Sequence, residues 1–223
     1  MPPRTTDATA AAAAPAPGAS GRSPGTVIFD LGGVLLDWNP RHLYRQLFQN
    51  PAEMEGFLAR ICTSEWHRAH DLGEDIRRSC QRLARQHPDY RDLIMAWAER
   101  GEEMIAGQID GTVEILAALK AAGVRCYALS NMERETFPLR RRRFAFLDWF
   151  DGHVISGIEG VAKPDRKIFR ILLERHRLDP GDAVFIDDSP PNVAAASELG
   201  LTALRFTSAR RLRADLSALG LRS

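Results

Sequence analysis

The chain has 223 residues, 44% hydrophobic and 26% charged, which suits a soluble globular protein with one large domain or a core carrying an inserted subdomain. Thirty Lys and Arg against 29 Asp and Glu leave a formal charge of +1, so no global field draws it to nucleic acid or to an acidic membrane. No uncharged apolar run reaches the roughly 18 residues of a membrane span, and Cys62, Cys80 and Cys126 are too few and too scattered for a zinc motif or a disulfide framework, so a reducing, cytoplasmic setting is expected.

Residues 1–25 are rich in Ala, Pro and Gly. Their Ala run follows Asp7 and is broken by Pro15 and Pro17, unlike the Leu-rich core of a secretory signal. The composition predicts a disordered extension that cannot bury enough surface to offset its ordering entropy. Residues 26–30 (TVIFD) then read as a buried parallel strand entering a glycine turn. Residues 38–108 show no strand pattern but several helix starts, at Asn39-Pro40, Asn50-Pro51, Ser64 and Pro88-Asp89. Beyond them strands and helices alternate. Helices are predicted over 111–122, 165–176 and 192–199, and strands over 124–129, 153–155, 183–186 and 202–206. This alternation predicts an α/β fold, a three-layer doubly wound parallel sheet with an inserted all-helical cap subdomain. The division expected is an extension over 1–25, a core over 26–37 and 109–223, and a helical cap over 38–108.

Ligands of open α/β sheets bind at the carboxyl ends of the strands. Those ends are Asp30 with Leu31, Gly32 and Gly33, then Ser130 with Asn131, then Asp187 with Asp188. Lys163 opens a helix on the same side. Carboxylates gathered so closely repel one another unless a cation sits among them. An all-oxygen donor set without His or Cys points to Mg2+ and to phosphate oxygens. Taken singly, each of these residues is an ordinary turn former or helix cap; their joint occurrence at strand ends carries the functional reading.

FDLGGVL (29–35), LSN (129–131), AKPDRKIF (162–169) and FIDDSPPN (185–192) occur in the order of the four motifs of the haloacid dehalogenase-like hydrolases, which the chain resembles from about residue 26 to 206. The resemblance implies a phosphatase acting on a small phosphorylated metabolite, such as a sugar phosphate, through an aspartyl-phosphate on Asp30. It implies metal binding by Asp30, the Gly32 carbonyl and Asp188, with Asp187 acting through water. Ser130 and the N–H groups of Leu31, Gly32 and Gly33 would hold phosphoryl oxygens, Lys163 would neutralise transition-state charge, and Asn131 would assist. As a cleft residue, Lys163 is expected to serve catalysis and to matter little for folding.

The motif pattern departs from most phosphatases of that superfamily at Gly32, where they carry a second Asp as general acid and base. Positioned acid–base catalysis is worth about 10²- to 10⁴-fold, so a good leaving group is favoured or a cap residue such as His67 or His70 gives the proton. The plain reading of both histidines is a solvated helix face. Gly32 also leaves open a halide-releasing hydrolase, although the pair Asp187 and Asp188 has no use there, and a weakened phosphate-binding regulatory module. The basic run Arg140, Arg141, Arg142 and Arg143 reads as a solvated helix face, and Trp38 and Trp149 read as structural.

Overall fold

Every residue of TVIF is apolar or β-branched, and in the computed structural model all four are buried in strand β1 (Thr26–Phe29). The structure describes residues 23–222. After β1 the chain forms β2 (Leu36–Trp38) and five helices, α1 (Pro40–Tyr44), α2 (Pro51–Arg60), α3 (Ser64–Asp71), α4 (Ile76–Gln86) and α5 (Arg91–Glu99). It returns through β3 (Ile105–Gln108) to α6 (Asp110–Ala121), β4 (Arg125–Ser130), α7 (Thr136–Arg143), β5 (Gly152–Ile155) and α8 (Ser156–Glu159). The last elements are α9 (Arg166–His176), β6 (Ala183–Asp187), α10 (Pro190–Ser197), β7 (Thr202–Arg205) and α11 (Ala209–Ala218).

The five-stranded sheet has the order β5-β4-β1-β6-β7, parallel at every pairing. Alternation along its strands makes two cores. Val27 and Phe29 pack with Cys126, Ala128, Val184 and Ile186 on one face, beneath Leu116 and Leu119 of α6 and Leu216 of α11. Ile28, Tyr127, Leu129 and Phe185 face the other way, against Ile168, Phe169 and Leu172 of α9 and Ala196 of α10. Burying each large apolar side chain contributes about 1.5–3 kcal/mol, so the three-layer arrangement follows from strands that are apolar on both faces.

The segment between β2 and β3 has its own core around Leu43, Tyr44, Phe57, Ile94 and Trp97. Its helices begin where a side chain can accept an orphan N–H. Asn39, Asn50, Thr63 and Asp75 accept from Arg41, Ala52, Trp66 and Arg78, and Pro40 and Pro51 occupy first-turn positions that need no donor. Thr63, one residue before the predicted start, is thus the third cap, while Pro88 opens a short 3₁₀ turn ahead of α5.

Two boundaries differ from the sequence expectation. The stretch 38–108 is not free of strands, because Ile105–Gln108 pairs antiparallel with Leu36–Trp38. IAGQ has little strand propensity of its own; its partner makes it a strand. The predicted extension over 1–25 ends earlier, since the Gly25 N–H donates to Asp182 Oδ1 at 2.9 Å and Ser23 Oγ donates to the Gly220 carbonyl at 3.3 Å. The rest of that extension, residues 1–22, lies outside the described residues. Among the described residues no helix is long and apolar enough to cross a membrane.

Candidate active site

Register brings the polar strand ends together. Phe29 lies beside Ala128 and Ile186, so Asp30, Ser130 and Asp187 emerge at one edge of the sheet. The Asp30 N–H still donates to the Ile186 carbonyl at 2.9 Å, which anchors the residue as the strand ends. The chain then folds back on itself: Leu35 and Leu36 donate to the Leu31 carbonyl at 2.9 and 2.8 Å, and Gly33 donates to the Leu36 carbonyl at 2.9 Å. Gly33 has φ +74°, which favours glycine, and a Cβ there would come within 2.5 Å of Asp188 Oδ2 and displace that carboxylate. Gly32 is different. Its φ is outside the left-handed region, and a Cβ would meet only Trp38 Cβ at 4.0 Å.

Of the three turn N–H groups expected to hold phosphate, Leu31 donates to Asp30 Oδ1 at 2.7 Å and Gly33 is taken by Leu36. The Gly32 N–H has no partner among the described residues. Ser130 is buried at the end of β4, its hydroxyl making only a long 3.5 Å contact with the Asn131 carbonyl.

Lys163 is the largest departure from expectation. It is 1% exposed, not a cleft side chain. Its Nζ stands 2.6 Å from Asp187 Oδ2 and 2.9 Å from Asp30 Oδ1, and donates to the Leu129 carbonyl at 2.8 Å. Asn131 holds it by the backbone, accepting from the Lys163 N–H at 2.8 Å and donating to its carbonyl at 3.0 Å. Asp187 is fully buried and heavily engaged, accepting also from the Ser189 N–H at 2.9 Å and Asn192 Nδ2 at 3.0 Å. Burial alone would lower the Lys163 pKa, but Asp30 and Asp187 outweigh it and hold the ammonium above its ordinary value.

The carboxylates carry the complementary strain. Burial pushes the Asp30 carboxyl up to about 7, with Asp187 and Asp188 adding to the rise and Lys163 opposing it. Asp188 is raised by burial and then by Asp187. One oxygen from each of Asp30, Asp187 and Asp188 lies within 4.8 Å of the others, and a single lysine cannot neutralise three acids. Hard oxygen donors in this density fit a magnesium ion.

A cavity of about 410 Å³ opens over Asp30, Gly32, Ser130, Asn131 and Asp188 and is closed on the far side by Trp38, Arg41, His67 and Asp71. Neither histidine lies on a solvated face. His67 stacks on Trp38 with ring centroids 5.2 Å apart, and His70 is fully buried, its pKa pulled down to about 4 by burial and by His67. His70 is therefore a poor proton donor at neutral pH. Trp38 is a wall of the cavity as well as a structural residue, while Trp149 is 41% exposed. Arg140 also leaves the predicted solvated face: it is buried, with Nη2 3.6 Å from Glu133 Oε2.

Sequence reasoning missed Glu133 and the burial of Arg140. Burial would raise Glu133, but Arg140 and His67 overcome it and hold the carboxylate below its usual range. Burial pushes Asp71 up to about 6 against the pull of His67. The available signal was positional, since Glu133 lies three residues beyond Ser130 at a strand end and Asp71 is one turn beyond His67 on α3.

A family model described as haloacid dehalogenase-like hydrolase matches residues 24–200. The chain is 28% identical over 189 residues to a sesquiterpene phosphatase of Aspergillus oryzae, covering 81% of this chain and 88% of that one. It is 27% identical over 181 residues to a phosphorylated carbohydrates phosphatase of Thermotoga maritima, covering 78% and 81%. Among solved structures, a HAD family enzyme from Bacteroides thetaiotaomicron in complex with magnesium and inorganic phosphate superposes with a TM-score of 0.61 at 20% identity, covering 83% of this chain and 95% of that one. That last likeness is one of fold.

Proposed function

The chain belongs to the haloacid dehalogenase-like hydrolases, and from that premise we propose that it is a magnesium-dependent phosphatase of small phosphate monoesters. The observation that carries the reading is the buried Lys163 ammonium bridging Asp30 and Asp187 beneath the floor of the cavity. Asp30 Oδ1 is held by Lys163 and by the Leu31 N–H, which fixes the plane of the carboxylate and leaves Oδ2 without a partner among the described residues. Asp30 attacks phosphorus, the bond to the ester oxygen breaks, the departing alkoxide takes a proton from solvent water, and an aspartyl-phosphate forms on Asp30. Water then attacks the same phosphorus, releasing inorganic phosphate and restoring the carboxylate.

Asp30, Asp188 and the Gly32 carbonyl would hold the metal. When bound, magnesium supplies the positive charge that lets an anionic carboxylate approach an anionic phosphate. Asp187 is better cast as a positioning residue than as a water-linked ligand, because its oxygens are already given to Lys163, the Ser189 N–H and Asn192. Ser130 and the Gly32 N–H are the groups left to meet phosphoryl oxygens. Lys163 balances the charge that gathers on Asp30 and the phosphoryl group.

The cavity supports a small substrate, its walls mixing Leu36, Trp38 and Ile105 with Arg41 and His67. A sugar phosphate or a comparably small phosphorylated metabolite fits that mixture, and the named substrates of the two phosphatase relatives span both polar and apolar choices. The test is phosphate release from a panel of phosphorylated metabolites with magnesium, using Asp30→Asn as the inactive control. Chelator-insensitive halide release from 2-haloacids would support the halide-releasing reading instead. Binding of phosphate esters with no turnover and no trapped aspartyl-phosphate would support a regulatory module.

A further inference from the structure

Apart from the carboxylates around Asp30, the junction of cap and core holds a second group of ligating side chains. His67 and His70 stand one turn apart on α3, so their rings leave the same face of that helix. Glu133 reaches them from the segment that follows β4. One nitrogen from each histidine and one carboxylate oxygen of Glu133 lie within 4.8 Å of one another. His67 Nδ1 is 3.9 Å from Glu133 Oε1, too far for a hydrogen bond and suited to two ligands on either side of one ion. His70 is fully buried, and among the described residues neither of its ring nitrogens has a hydrogen-bond partner, nor does the buried His67 Nδ1. Buried polar atoms are rarely left so, because their lost hydration must be returned by some partner.

The surroundings orient these groups. Thr136 Oγ1 donates to Glu133 Oε2 at 2.9 Å and Arg140 stands 3.6 Å from the same oxygen, which leaves Oε1 toward the histidines. The other ring nitrogen, His67 Nε2, has Asp71 Oδ1 3.9 Å away, outside hydrogen-bond distance but on the side where metal-bound imidazoles commonly carry an outer carboxylate. His67 and Glu133 line the cavity, which gives an ion a way in and an open coordination position. Two imidazoles and one carboxylate form a donor set that selects zinc over magnesium, unlike the all-oxygen set at Asp30 and Asp188.

We propose that His67, His70 and Glu133 form a transition-metal site, zinc by its donor chemistry, that ties the cap to the core. Two of the ligands belong to the cap helix α3 and the third to the core, so an ion bound there fastens the cap over the cavity. Cap closure then responds to a metal other than the one that serves the carboxylate cluster.

The full-length protein, stripped by chelator and returned to excess magnesium, is titrated with zinc chloride, and bound zinc is read by elemental analysis after gel filtration. The wild type is expected to retain one equivalent and to melt at a higher temperature with zinc. His70→Ala and Glu133→Gln should each weaken zinc binding by more than about 100-fold, beyond the range seen for outer-sphere changes, while Asp188→Asn keeps it. Cobalt should give the intense visible bands of a low-coordinate site in the wild type and lose them in both ligand variants. Circular dichroism checks folding, and the near-isosteric Glu133→Gln decides the matter should His70→Ala fail to fold. Absence of stoichiometric zinc, uptake unchanged in the ligand variants, or uptake lost with Asp188→Asn would each overturn the proposal.

Discussion

Replacing Lys163 by Met keeps the length and apolar stem of the side chain and removes only its charge. The ammonium has three partners, Asp187 Oδ2 at 2.6 Å, Asp30 Oδ1 at 2.9 Å and the Leu129 carbonyl at 2.8 Å; Asp187 and Leu129 are sealed from water, and Asp30 is only 8% exposed where it meets the cavity. Deleting one partner of a buried ion pair costs about 3–5 kcal/mol, because the remaining charge stays buried and uncompensated. For a chain of this size each kcal/mol shifts the thermal midpoint by about 2–4 °C, so Lys163→Met should melt roughly 6–20 °C below the wild type, by the same conversion. Removing the opposing charge as well should recover part of the loss. Lys163→Met with Asp187→Asn is therefore expected to fall short of the sum of the single changes by about 0.5–3 kcal/mol. Urea unfolding of the four proteins at fixed magnesium measures the cycle, with equal slopes confirming comparable unfolded states. A Lys163→Met midpoint within about 2 °C of the wild type, against the conversion used above, together with strict additivity, would show that Lys163 carries catalytic charge alone.

Neighbouring glycines should respond in opposite ways. Gly32→Asp has room for its Cβ and an ordinary φ, so it should fold with an almost unchanged melting temperature, whereas Gly33→Ala should lose at least about 1–2 kcal/mol from its left-handed backbone alone. Without a carboxyl at position 32, wild-type rates should fall steeply as the leaving group becomes less acidic; Gly32→Asp should flatten that dependence, and a wild type already flat across a series of phosphate esters would mean another residue gives the proton. Asp188→Asn should abolish turnover or raise the magnesium requirement sharply, read as phosphate release across a magnesium titration; normal activity after exhaustive chelation would refute the metal reading. Asn131→Ala removes both hydrogen bonds that hold the Lys163 backbone and should cost about 1–3 kcal/mol by denaturant titration.

The fold was largely legible because its central strands β1 and β6 are apolar on both faces and run into acids. TVIF and AVFI announce buried parallel strands, and the capping pairs Asn39-Pro40 and Asn50-Pro51 announce helices that form at those positions. The short ribbon was not legible, since Ile105–Gln108 becomes a strand through pairing rather than composition. Within the site, the convergence of Asp30, Ser130, Asp187 and Asp188 at one sheet edge could be read from strand ends, but the depth of Lys163 could not. A lysine after a loop looks exposed until the sheet brings two carboxylates to it. The same limit applied to His70 and Arg140, whose burial depends on how α3 and α7 each sit against the segment that carries Glu133, a long-range fact that local pattern does not encode.

The strand that leads into Asp30 is the earliest strand of the described chain and the central one of its sheet, and this sets an order of assembly. Thr26 must wait for Arg125 on one side and Ala183 on the other, so during synthesis it leaves the ribosome ahead of both partners and stays unpaired until they follow. Meanwhile residues 40–99 emerge as one local block with an apolar cluster of their own and can pack without the sheet. An unpaired TVIF segment is sticky through that interval, and its four-residue length and the charged, glycine-bearing turn after it limit the hazard. The roof of the cavity is therefore built before its floor, and Asp30 meets Lys163 and Asp187 only once the final third of the chain has been made.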